Sequence, residues 1–129
     1  RYIDPQEPAV LSVTQFHAGD AYNVIPNDIE IKGCTRCFSP KVQKQLEEQM
    51  HQITKSICEA YGASYEFEFE HRYPATINSE EEAEIAGKVA QQVVGQERVN
   101  LSPTPGMGSE DFAYMLQEKP GSYIWIGNA

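Results

Sequence analysis

The sequence predicts an α+β fold: an antiparallel sheet with a helix on one face, followed by an incomplete α/β piece. Three observations carry this. Segments 28–37 and 63–72 alternate apolar and polar residues with the period of a strand. Between them, apolar residues recur at spacings of three and four from Val42 to Tyr61, the period of a helix. Beyond Tyr73 the alternation gives way to helical patterns separated by a loop rich in Pro and Gly.

The first strand is expected over "AVLSVTQFHA", residues 9 to 18, which is rich in β-formers although its alternation is imperfect. "GDAYNVIPN" is a loop punctuated by Gly19 and Pro26. In "DIEIKGCTRC", 28 to 37, Ile29, Ile31, Gly33 and Thr35 share one face, and Glu30, Lys32, Cys34 and Arg36 share the other. Ser39 is the expected cap of the helix that follows, with Pro40 in its first turn and Gly62 at its stop. Val42, Leu46, Met50, Ile53, Ile57 and Tyr61 form its apolar stripe, which should pack on the sheet. "ASYEFEFEHR", 63 to 72, is the clearest strand by pattern, with Tyr65, Phe67 and Phe69 on one face and Glu66, Glu68 and Glu70 on the other. A complete two-layer unit of this kind often carries a second helix, so one strand and one helix are expected upstream.

Pro74 breaks the last strand, and the domain boundary is placed there: residues 1–72 form one domain and 73–129 part of another. Ser79 and Glu82 make a capping-box pattern for a helix reaching about Val94. Its buried face is expected to carry Ile85, Ala86, Val89, Ala90 and Val93. "SEDFAYMLQEK" reads as a short helix burying Phe112, Met115 and Leu116, and "PGSYIWIGN" as a turn entering a strand.

Composition narrows the functional classes. The formal net charge of −9 argues against non-specific binding to nucleic acid or anionic membranes. No apolar run approaches the roughly 18 residues of a membrane span, and no signal peptide is visible. Cys34, Cys37 and Cys58, an odd number in no dense framework, suit a reducing compartment, and a cytoplasmic location is expected. Cys34 and Cys37 stand three apart on a strand and so face opposite sides, which makes them a poor redox or zinc pair. Both ends read as cut from a longer chain.

Three strings occur in order: "AGDAYNVIPNDIEIKGCTR", "YGASYEFEFEHRYPATIN" and "GMGSEDFAYMLQEKPGSYIWIGN". Together they resemble the metal-dependent amidohydrolases of the M20 peptidase family, in the branch of aminoacylases, hippurate hydrolases and auxin-conjugate hydrolases. The likeness runs from "IDP" at 3–5 to the final "GN". It implies a catalytic domain holding two divalent metals, usually zinc but also manganese, cobalt or nickel, interrupted by a smaller lid that commonly dimerises. Residues 1–72 then correspond to the later part of the lid, and 73–129 to part of the catalytic domain. The family's lid Asn and Arg, which bind the substrate's carboxylate, often across the dimer, match Asn23 and Arg36. The chemistry is sound: a guanidinium forks onto a carboxylate with two parallel hydrogen bonds, and an amide fixes its orientation.

The resemblance thus implies a parent enzyme that hydrolyses the amide bond of an N-acyl amino acid or a similar small free-carboxylate substrate, such as a peptide. No metal ligand and no catalytic residue of the family has a matching position among these residues, so the segment alone is expected to be inactive and to bind no metal. Glu80, Glu81 and Glu82 suit a helix's first turn and take no general-base role. His17, beside the Asn loop, and Glu110, at the start of the short helix, are secondary substrate-binding candidates. Asp111 reads as structural there, and Gly106 and Gly108 suit a pocket wall. His51 is expected at the helix surface, and His71 on the aromatic face of its strand. Arg36 as a solvated residue paired with a glutamate, and Asn23 as a turn former, are the plainer readings. The rival for the whole is a non-catalytic α+β dimerisation or binding module.

Overall fold

A computed structural model of the chain describes residues 3–127. They form a two-stranded antiparallel sheet and three α-helices, an α+β arrangement in which the chain divides into two compact units, Arg1–Glu70 and His71–Ala129. Among the described residues no helix is long and apolar enough to cross a membrane.

In the first unit, β1 (Ala9–Ala18) pairs with β2 (Ile29–Cys37). The register runs from Ala9 opposite Cys37 to Ala18 opposite Ile29, with an irregularity between Val13 and Gln15. Thr14 is the extra residue of a β-bulge. The bulge explains the imperfect alternation of the first strand. By inserting one residue, it keeps Leu11, Val13, Phe16 and Ala18 on the face of Ile29, Ile31 and Thr35. Val10, His17, Glu30, Lys32, Cys34 and Arg36 fall on the other face. Gly33 lies opposite Val13 at the bulge, where a Cβ would run into the Ser12 carbonyl oxygen.

Helix α1 (Pro40–Ala60) packs on β2 and buries Val42 and Leu46, which are 2% and 7% exposed. Ser39 stands at its cap position without a side-chain cap bond, and Pro40 opens the first turn. The other end closes as the sequence predicts. Gly62 is left-handed (φ +67°), and the N–H groups of Gly62 and Ala63 donate to the carbonyls of Glu59 and Cys58, a Schellman motif. The stripe is buried only in its first turns; Ile53, Ile57 and Tyr61 are about half exposed or more.

The expected strand over 63–72 is not part of the sheet, which has two strands among the described residues. The segment keeps the alternation, with Tyr65, Phe67 and Phe69 half-buried and Glu66, Glu68 and Glu70 exposed. Alternation specifies which face a residue takes, whereas membership of a sheet is set by pairing with another segment.

The second unit contains α2 (Glu80–Val94), a 3-10 turn at Gln96–Arg98, and α3 (Phe112–Glu118). Its tightest core residue is Ala113, 1% exposed. The expected burial of Met115 is not found; it is 60% exposed, while Phe112 and Leu116 are half-buried. On α2, Ala86 and Ala90 are half-buried, but Ile85, Val89 and Val93 are at least half exposed. No strand forms after Pro120 among the described residues, and Asn128 of the final "GN" lies outside them.

The expected capping box is also replaced. Ser79 is the N-cap of α2 but makes no side-chain cap bond. Its Oγ accepts from the Gly121 N–H at 3.1 Å, and its N–H donates to the Gly121 carbonyl at 2.9 Å. Beside it, the Asn78 side-chain amide donates to the Tyr123 carbonyl at 2.9 Å and accepts from the Tyr123 N–H at 2.8 Å. Residues 121–123 thus receive from two neighbouring side chains and one backbone what a partner strand would otherwise supply.

Candidate functional site

The sheet's polar face carries three of the four candidates or leads to them. Arg36 stands opposite Val10, exposed, near the end of β2 that runs into α1. On the same face, Glu30 bonds Lys32 at 2.9 Å. His17 stands opposite Glu30 near the loop end of the hairpin and is exposed. Asn23 is exposed within the connecting loop, in a turn closed by the Val24 N–H on the Ala21 carbonyl at 3.2 Å. Asn23 and His17 therefore belong to one end of the hairpin and Arg36 to the other. From Ile29 to Arg36 is seven residues, roughly 23 Å of strand.

Glu110 lies in the second unit, just ahead of α3. Its Oε2 accepts from the Tyr123 hydroxyl at 2.8 Å, and its Oε1 accepts from the Phe112 N–H at 3.3 Å. The Tyr123 hydroxyl, with further hydrogen bonds from Asp111 and Phe112, holds the Glu110 carboxyl below its ordinary pKa. The same bond raises the Tyr123 phenol. Tyr123 also tilts against Phe112, with ring centroids 5.7 Å apart, and meets Trp125 edge-on at 5.5 Å. The arrangement is an ionised carboxylate fixed by a phenol, with an exposed indole alongside.

Sequence reasoning missed Tyr123 and Asn78. Both act over distances in the chain that no local period records, 13 residues to Glu110 and 45 to Asn78. His51 is exposed on α1 as expected, but it also hydrogen-bonds the Tyr65 hydroxyl at 3.1 Å and stacks on Phe67, centroids 5.2 Å apart. His71 is exposed and lies on no strand.

All three cysteines are free thiols. Cys34 falls on the polar face and Cys37 on the face of Ala9, so the pair lacks the geometry of a redox or metal site, and burial raises the Cys37 thiol. Among the described residues no group of three His, Cys, Asp or Glu side chains could hold a metal ion. A two-metal centre needs more donors than that, and these residues do not fit one.

Comparison with known proteins supplies the wider frame. The model of the peptidase family M20/M25/M40 matches residues 5–129. The chain is 35% identical over 128 residues to thermostable carboxypeptidase 1 of Saccharolobus solfataricus, covering 98% of the chain and 32% of the relative. It is 51% identical over 81 residues to the N-acyl-L-amino acid amidohydrolase of Geobacillus stearothermophilus, covering 63% of the chain and 22% of the relative. It is similar in structure to a Bacillus subtilis protein described as a dinuclear metal binding peptidase from the M20 family, with a TM-score of 0.73 and 32% identity, covering 88% of this chain and 31% of that one. The chain spans about a third of the length of the first curated relatives it matches.

Proposed function

The chain belongs to peptidase family M20/M25/M40, and from that premise we propose that it is the substrate-gripping part of a metal-dependent amidohydrolase. The parent would hydrolyse the amide bond of an N-acyl amino acid, or a like substrate with a free carboxylate. Residues 1–72 serve as the later part of its lid and 73–129 as part of its catalytic domain. The divalent metals, zinc or one of manganese, cobalt and nickel, are held by residues outside this segment and supply water activation and carbonyl polarisation.

Within the segment, Arg36 forks onto the substrate carboxylate and Asn23 orients it. The observation that carries this is the exposure of Arg36 on the polar face of the sheet. The placement of Asn23 and Arg36 at opposite ends of the hairpin favours a clamp whose two halves come from different copies in a dimer. His17 and Glu110 are secondary contacts of the substrate cavity.

In the full-length parent, Arg36→Ala should raise KM for free-acid substrates by on the order of tenfold to a hundredfold, the loss of one charge-assisted bond pair, and barely change it for the corresponding amides. Equal loss on both substrate types would sink the clamp. Mixing Asn23→Ala and Arg36→Ala protomers tests its division between copies. A shared clamp leaves one intact site per mixed dimer and restores activity above either variant alone, whereas no recovery places both halves in one copy.

A further inference from the structure

The polar face of the sheet is not uniform along its length. Towards the hairpin loop, Gln15 stands opposite Lys32 and His17 opposite Glu30, and Lys32 and Glu30 form an ion pair at 2.9 Å. Towards the other end, the residue directly across from Arg36 is Val10, and Ser12 stands opposite Cys34, two residues back along β2. Directly opposed residues hold their Cβ atoms roughly 4.5–5.5 Å apart on one face, so Val10 stands beside the stem of Arg36. None of Val10, Ser12 and Cys34 is an acidic or basic residue, and Lys32 lies roughly 13 Å of strand away from Arg36. Val10 is the only aliphatic side chain among the described strand residues of this face, and it is 39% exposed.

Strand propensity accounts for a β-branched residue at this position but not for an apolar one, since Thr would suit a half-open polar face equally well. Val10 and Arg36 together offer two contacts side by side: a guanidinium for an anion, and hydrocarbon for whatever is bonded next to that anion. In an amino acid, the atom next to the carboxylate is Cα, which bears the side chain. We propose that Val10 selects that side chain. With the carboxylate forked on Arg36, the Cα substituent rests against Val10, and the parent prefers amino acids whose side chains are apolar. An acidic or basic side chain in the same place would be desolvated against hydrocarbon without a charged partner on this part of the sheet. The inference rests on the carboxylate clamp and names the class of substrate that the clamp takes.

The test is kcat/KM of the full-length parent on the N-acetyl derivatives of alanine, leucine, aspartate and lysine, each as the free acid and as the amide. The parent should favour leucine over the other three. Val10→Ala and Val10→Thr should each lower the leucine-to-alanine ratio on the order of tenfold, the usual worth of a methyl group or two in an apolar contact. Val10→Thr keeps the branched shape of a strand former, so a loss there reports lost apolarity rather than a damaged sheet. Val10→Lys should raise the aspartate-to-leucine ratio on the order of tenfold or more. A parent that favours aspartate or lysine, a leucine-to-alanine ratio unchanged in either of the first two variants, or an equal fall on every substrate would overturn the proposal. The clamp itself survives those outcomes if Arg36→Ala still weakens the free acids and spares the amides. Equal loss on acids and amides in Arg36→Ala removes the clamp, and the role of Val10 with it.

Discussion

Asn78 shows what a single side chain contributes when it replaces a strand. Its amide presents one donor and one acceptor in the spacing of a peptide group, and Tyr123 uses both. Asn78→Ala should destabilise the second unit by about 1–2 kcal/mol, two partly exposed hydrogen bonds, in urea unfolding followed by Trp125 fluorescence. Ser122 is the contrast: its hydroxyl is buried with no hydrogen-bond partner, so Ser122→Ala should be neutral or slightly stabilising in the same experiment. The Glu110–Tyr123 bond has a signature in pH. Glu110 titrates below its ordinary value, so the stability it contributes is present above the unfolded carboxyl's pKa and fades as pH falls through the folded one. Tyr123 titrates above its ordinary value, so its share is present below the unfolded phenol's pKa and fades as pH rises through the folded one. Tyr123→Phe should return Glu110 upward towards an ordinary carboxyl, measured by NMR titration of its side-chain carbon; an unmoved Glu110 would mean that Asp111 and Phe112 suffice to hold it. Little at this scale was legible in the sequence. Arg36, His17 and Asn23 were named as candidates and are exposed, but the partners of Glu110, Asn78 and Ser79 are set by chain segments 13 to 45 residues away.

Elements whose signal is local were legible nearly to the residue. Both strands of the hairpin, α1 and α2 follow from period, cap residues and breakers, and the Schellman closure at Gly62 follows from its glycine. Elements that depend on a neighbour were not. The 63–70 segment has a stronger alternation than β1, yet among the described residues β1 belongs to the sheet and the segment does not. The hydroxyl of Ser79 was expected to cap its own helix, but the unpaired backbone of Gly121 takes it instead. The same reasoning yields a prediction for the hairpin. Gly33→Ala should destabilise it by about 1–3 kcal/mol, because the added methyl meets backbone rather than a yielding side chain. Loss of the cross-strand NOE between Phe16 and Ile31 would report it, and a variant as stable as the parent would show that β1 can shift at the bulge.

At the scale of the whole molecule, family membership was legible because it rests on strings of residues in order rather than on packing. The organisation of the core was not, since much of the apolar surface that the periods assign to an interior is open in both units. This openness, and the lack of any three converging metal donors among the described residues, lead to one expectation about activity. The 129-residue chain incubated with zinc, manganese or cobalt should release no amino acid from an N-acyl substrate above a metal-only control. Turnover by the purified chain would show that a hydrolytic site can be assembled from these residues after all.

The unmatched Thr14 gives the hairpin a parity. A sequence aligned to this one that lacks a residue between Val13 and Gln15 cannot be read across that point by simple counting. Either its first five strand residues exchange inside for outside, or its hydrophobic pattern must be offset by one to compensate. Alignment gaps at this spot therefore carry structural meaning: a deletion accompanied by a shifted pattern preserves the sheet's two faces, and a deletion without one marks a chain that has inverted half a strand.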